Sequence, residues 1–150
     1  MKLLSSILVA SGLLVAASQA QANDCELTIT GNDQMQYDKQ SLSVPKSCKE
    51  VTLTLKHSGK MAKAAMGHNW VLSKASDMND ITKGVYSAGL ENNYVPDSDK
   101  VIAHTKVVGG GEQTSITFST EALSADQDYV FFCSFPGHWS VMKGDFKVTQ

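Results

Sequence analysis

Arginine is absent from the 150-residue chain: all 13 cationic side chains are lysines, set against 15 carboxylates for a formal net charge of −2. Nucleic-acid recognition draws on a clustered basic face and on the planar bidentate fork of arginine, and this chain supplies neither. Histidine-rich and methionine-rich tracts are missing too, which sets aside an exposed surface for collecting and passing on metal ions. The N-terminal apolar run, Leu3 to Ala17, is shorter than the roughly 20 residues a membrane-spanning helix needs, and no charged stop-transfer cluster follows it. Nothing in the chain resembles a catalytic nucleophile beside a positioned base. Cysteine is scarce, at three residues, so each one carries information.

Residues 1–22 read as a secretory signal peptide, with Lys2 as the positive start, Leu3 to Ala17 as the apolar region and Ala20-Gln21-Ala22 as the small-x-small cleavage site. Removal leaves residues 23–150 as one domain, long enough to bury about two-thirds of its unfolded surface. Three cysteines in an exported chain suggest one disulfide and one thiol reserved for chemistry. Cys25 and Cys48 bracket the first two strands, and a loop of that length contributes roughly 3 kcal/mol when closed. Pairing of Cys133 with either of them stays open at this point.

The domain reads as short strands separated by turn residues. Cys25 to Thr30 and Val51 to Lys56 alternate apolar and polar residues, each with one apolar face. Gly67 to Lys74, Val101 to Val108, Gln113 to Thr120, Gln127 to Ser134 and Val141 to Thr149 supply further strands, with Gly109-Gly110-Gly111 expected to turn one into the next as a loose hairpin. Strands of this length and frequency predict an all-β, two-sheet Greek-key sandwich. Ser76 to Leu90 departs from the pattern: Met78, Ile81, Val85 and Leu90 fit a short, imperfect helix after Asp77, weakened by Gly84 and Gly89, and a long surface loop is the alternative.

Chemistry concentrates in Cys133-Ser-Phe-Pro-Gly-His138-Trp-Ser-Val-Met142. Pro136-Gly137 predicts a tight turn, so a thiol, an imidazole and a thioether share one loop. Thiolate, imidazole and thioether form a soft donor set, and a second histidine in a trigonal plane makes copper the favoured metal, with Met142 as a long axial ligand. His68, in Met66-Gly67-His68-Asn69-Trp70, is the best candidate, with the Gly67 carbonyl as a second weak axial donor. Spacing alone leaves His68 open to the plainer role of a buried, hydrogen-bonded histidine.

Gly67-His68-Asn69-Trp70, Cys133, Phe135-Pro136-Gly137-His138 and Met142-Lys143-Gly144, with four residues between cysteine and histidine and three between histidine and methionine, resemble the azurins, small bacterial blue-copper proteins of the cupredoxin family. Gly31 to Gln36, Ser47-Cys48-Lys49, Val101 to Lys106 and Phe131-Phe132 extend the likeness over almost the whole domain. The resemblance implies a cupredoxin sandwich with a helical flap around 76–90, a Cys25–Cys48 disulfide, and one copper per chain cycling between Cu(I) and Cu(II). It implies that Asn69 hydrogen-bonds towards the Cys133 and Ser134 backbone, that N–H groups near Asn69 and Phe135 lie by the sulfur, and that Phe135 shields the metal, where the plain alternative is a packed aromatic.

The resemblance also implies a flat docking face of Met35, Met66, Pro136 and Gly137 with Phe135. Where the family usually has a small residue after this histidine, Trp139 would enlarge that face or cover the His138 edge. His57 and His104 match the family's non-ligand histidines, His57 partly buried and His104 exposed, and Trp70 matches its core indole. The implied function is a soluble, monomeric, periplasmic carrier of single electrons between redox proteins such as c-type cytochromes or periplasmic reductases, and not an enzyme. The competing readings are a copper-storage or copper-delivery protein and a zinc-binding sandwich.

Overall fold

The computed structural model describes residues 24–150, so the signal-peptide reading of residues 1–22 lies outside the described part. Eight strands form two sheets: β1 (Glu26–Gly31), β2 (Ser41–Pro45), β3 (Glu50–His57), β4 (Val71–Lys74), β5 (Val101–His104), β6 (Gln113–Ser119), β7 (Tyr129–Phe132) and β8 (Lys143–Thr149). One sheet has the order β1-β3-β6 and the other β2-β8-β7-β4-β5. Successive strands β1 and β2 go to different sheets, each pairing in parallel with a strand far along the chain: β1 with β3, and β2 with β8. The expected two-sheet sandwich is therefore present.

Alternation explains the strands with one wet face. Val51, Leu53 and Leu55 of β3 are buried, while the intervening Thr52 and Thr54 hydroxyls pair across to Thr117 and Ser115 at 2.9 and 2.8 Å. Cross-strand hydroxyl pairs of this kind add a few tenths of a kcal/mol up to about 1 kcal/mol each. Strand β4 does not alternate, because Val71, Leu72 and Ser73 are all buried. Its inner face meets the main core around Trp70, and its outer face is covered by the segment that follows it.

That segment is helical but broken. A 3-10 turn (Ala75–Asp77), α-helical pieces at Met78–Lys83 and Val85–Ala88, and a second 3-10 turn (Leu90–Asn92) follow one another. Gly89, at φ +67, ends the Val85–Ala88 piece in a conformation that side-chain-bearing residues avoid. Ile81 and Val95 bury themselves against Val71 and Phe132, which is why a sequence of weak helix formers still holds against the sheet.

Three strand expectations need correction. Residues 109–111 do not form a hairpin, since β5 lies in the five-stranded sheet and β6 in the three-stranded one. Instead Gly110 N–H donates to the Met61 carbonyl and Gly111 N–H to that of His57, carrying the chain from one sheet to the other. The strands predicted over 67–74 and 101–108 are shorter, because the Thr105 hydroxyl takes the Trp70 N–H at 2.9 Å and interrupts the ladder, leaving His68 and Val108 as an isolated bridge. Strand β2 has no counterpart among the ranges predicted from sequence.

The core centres on Trp70, packed on Phe118, Phe131 and Phe146 with ring centroids 5.8, 6.2 and 6.3 Å away. Its indole Nε1 is buried with no hydrogen-bond partner, so its contribution is packing alone. Cys25 and Cys48 are joined as a disulfide that ties the start of β1 to the turn after β2. Replacing both cysteines by alanine should lower the unfolding free energy by about 3 kcal/mol. Urea titration of the double variant measures this as a lower midpoint.

Candidate metal centre

Cys133 directly follows β7, and β8 starts at Lys143, so the loop between them closes on its own backbone. Cys133 N–H donates to the Met142 carbonyl at 3.0 Å, and His138 N–H to that of Phe135 at 2.9 Å. The His138 carbonyl accepts from Val141 and Met142 at 3.0 and 2.8 Å. Gly137 permits this tight course at φ +83, a region costly for any residue with a Cβ. The turn predicted from Pro136-Gly137 is thus present, with His138 opening a short 3-10 turn over His138–Ser140.

His68 arrives from the other side, on the bridge to Val108, with N–H···O bonds of 3.0 and 2.8 Å in the two directions. Its Nε2–H donates to the Asn32 carbonyl at 2.7 Å. That bond fixes the tautomer, so the Nδ1 lone pair faces Cys133. The imidazole lies flat on His57, centroids 4.4 Å apart and 18° from parallel. Gly31 leaves room for it: a Cβ there would stand 2.7 Å from the His68 ring and 3.4 Å from the Met142 methyl.

The donors converge. Cys133 Sγ is 3.8 Å from His68 Nδ1 and 3.7 Å from His138 Nδ1, and the three donor atoms lie within 4.8 Å of one another. Two donors held at about 2.0–2.3 Å from one ion and 120° apart stand roughly 3.8 Å from each other, so the sulfur–nitrogen separations fit a trigonal plane. All three residues are buried. Met142, fully buried, shares an apolar cluster with Cys133, Phe135 and Val107. The softness of the set, thiolate with two imidazoles beside a thioether, suits copper.

Asn69 joins the two halves. Its side-chain oxygen accepts from Ser134 N–H at 2.8 Å, and its amide nitrogen donates to Ser134 Oγ at 2.7 Å and to the Asn93 carbonyl at 2.8 Å. The His68 loop, the Cys133 loop and the end of the helical segment are thereby held together. Backbone N–H groups of Asn69 and Phe135 both point at the Cys133 sulfur. Phe135, almost fully buried, packs on His138 at 4.6 Å and on Tyr94 at 5.1 Å.

Burial sets the protonation of the metal-free site. It pushes the Cys133 thiol up to about 12, against the opposing pull of those N–H groups. Burial first, then the neighbouring His68 and His57, pull His138 down to about 4. Burial also lowers His68, partly offset by the Asn32 carbonyl. Near neutrality the site thus presents two neutral imidazoles and one thiol whose proton a metal must displace.

The other predicted residues fall nearby. Gly67 is buried and Met66 half-buried, while Met35 (37% exposed, φ 57), half-buried Pro136 and exposed Gly137 lie at the surface. Half-buried Trp139 turns its indole onto the helical segment, meeting Tyr86 edge-on at 6.1 Å. His57 is more deeply buried than expected, accepting from Gly59 N–H at 3.0 Å and donating from Nε2 to the Met66 carbonyl at 2.8 Å. His104 is half-buried, not exposed.

Sequence reading passed over Asn32, whose carbonyl orients His68, and Asn93, which ties the helical segment to Asn69 and to Val107 N–H. Asn32 holds His68, and Asn93 holds Asn69, through backbone carbonyls that every residue has, while the Asn93 side-chain oxygen takes the Val107 N–H across a separation of 14 residues that no local pattern marks.

Comparison with known proteins agrees with this geometry. The family described as copper binding proteins, plastocyanin/azurin family, matches residues 23–149. Azurin-1 of Alcaligenes xylosoxydans xylosoxydans is 55% identical over 128 residues, covering 85% of this chain and 99% of that one. The azurin of Bordetella pertussis (strain Tohama I) is 51% identical over 140 residues, covering 91% and 93%. The solved structure of azurin iso-2 from the obligate methylotroph Methylomonas sp. strain J superposes with a TM-score of 0.81 at 49% identity, over 84% of this chain and 98% of that one. The sandwich is accordingly the cupredoxin fold, the metal is copper, and the chain belongs to the blue-copper proteins of the plastocyanin/azurin family.

Proposed function

We propose that this protein is a periplasmic carrier that passes single electrons between redox proteins, with no substrate of its own. The observation that carries the reading is the buried convergence of His68, Cys133 and His138 from two separately braced loops. Bound copper supplies the one-electron Cu(I)/Cu(II) couple. Cys133, His68 and His138 would hold it, with Met142 and the Gly67 carbonyl as weaker additional donors.

Asn69 keeps the loops in register, the Asn69 and Phe135 N–H groups stabilise negative charge on the sulfur, and the Phe135 ring excludes water. Because the ligands are fixed before the metal arrives, they move little when its charge changes, and that favours rapid electron exchange. Three surface grooves among the described residues are lined by none of His68, Cys133, His138 and Met142, which suits a carrier better than an enzyme that admits substrate to the metal.

Buried His138 follows half-buried Pro136 and exposed Gly137 in the chain, and with Met35, Met66 and Trp139 that face is the docking site. Partners such as c-type cytochromes or periplasmic reductases would meet it through a small, transient contact. Residues 1–22 direct export, and no helix among the described residues is long and apolar enough to cross a membrane.

Visible absorption of the Cu(II)-loaded protein tests the reading: an intense red-region band should bleach with mild reductant and return on oxidation. A pale band, or ready loss of copper to a chelator, would favour storage or zinc binding instead. Cys133→Ala should abolish the band. Met142→Ala should keep it and raise the reduction potential, since a bare trigonal plane suits Cu(I). For the metal-free protein, apparent Cu(II) affinity measured against a competing chelator should fall about tenfold per unit decrease in pH across the neutral range, because each uptake displaces the thiol proton. Below pH about 4 the fall should steepen as His138 also protonates. Mass spectrometry of the periplasmic fraction should find a chain beginning at Asn23.

A further inference from the structure

Tyr37 belongs to none of the roles above, yet it reaches the centre of the site. It follows the exposed Met35-Gln36 turn and forms a bridge to Gly31. As a whole the residue is half-buried, but its ring runs inward, edge-on to Phe131 at 5.7 Å, and it packs against the cluster of Cys133, Phe135 and Met142. Its hydroxyl donates to the backbone carbonyl of Asn69, a fully buried residue.

That contact bears on the site through Asn69. The residue whose carbonyl Tyr37 holds is the one whose N–H points at the Cys133 sulfur and whose side chain grips Ser134.

We propose that Tyr37 is a positioning residue for the copper-bound sulfur: its hydroxyl fixes the Asn69 backbone and so holds the Asn69 N–H on Cys133, thereby raising the reduction potential. The inference rests on the copper-carrier reading above. The sulfur carries more negative charge when the metal is reduced, so donors directed at it stabilise Cu(I) over Cu(II). A phenylalanine here would keep the ring against Phe131 and remove only the donor.

The test uses the full copper-loaded protein and its Tyr37→Phe variant. Removing a hydrogen bond of ordinary net strength should shift the oxidised-to-reduced equilibrium about tenfold towards the oxidised form, a fall of about 59 mV for a one-electron couple. The thiolate-to-copper band should remain intense and change in energy. A tyrosine fluorinated beside its hydroxyl, a stronger donor, should move the potential the opposite way. If Tyr37→Phe loses stability while its potential and band energy match the parent, Tyr37 is a packing residue and the proposal falls. If the parent itself shows no intense band, the carrier reading fails first and takes this one with it.

Discussion

The side-chain amide of Asn69 is the constraint on which the site depends. A trigonal ligand plane needs one donor from the chain before β4 and two from the loop after β7, and these segments are 65 residues apart in sequence. The amide spans that separation with an acceptor for the Ser134 N–H and donors for the Ser134 hydroxyl and the Asn93 carbonyl. Fully buried and using both its oxygen and its nitrogen, it gains from every bond and would lose heavily if one partner moved. The sandwich supplies the stiff backing, with β4 and β7 paired side by side, and Asn69 transmits that stiffness to the loops.

Around this brace the site combines groups that water would treat very differently. The thiol is driven towards its protonated form and the imidazoles towards neutrality, so the metal-free pocket carries almost no charge despite its polar lining. An uncharged, preformed donor set is compatible with a fold whose core is otherwise dominated by aromatic and aliphatic side chains. The bound ion then finds each second bond already made: His68 to Asn32, the sulfur to the N–H groups of Asn69 and Phe135, and the Asn69 carbonyl to Tyr37.

Legibility in the sequence followed how local each feature is. Cys133, His138 and Met142 lie on one loop, so their spacing could be read directly, and alternation in β1 and β3 exposed the sandwich. His68 needed the family likeness to rise above a structural histidine. Beyond that, backbone groups and distant side chains took over. Thr105 interrupts a ladder that residue pattern alone would extend, the glycines at 109–111 pass between sheets, and β2, a short edge strand ending in Pro45, offers only two buried side chains as a signal. Asn32 and Tyr37 touch the site through a carbonyl and a hydroxyl that no spacing rule singles out.

The strand order carries a consequence for when the protein can become functional. Strand β2, near the start of the domain, is paired along its whole length with β8, the last strand, which leads directly out of the ligand loop. Asn32, His68, Cys133 and Met142 therefore meet only once both ends of the domain are present and docked. A chain whose last strand has not yet docked presents a thiol and scattered imidazoles but no binding pocket, so the topology defers metal acquisition until the whole domain has formed and ties the choice of ion to the compartment in which folding ends.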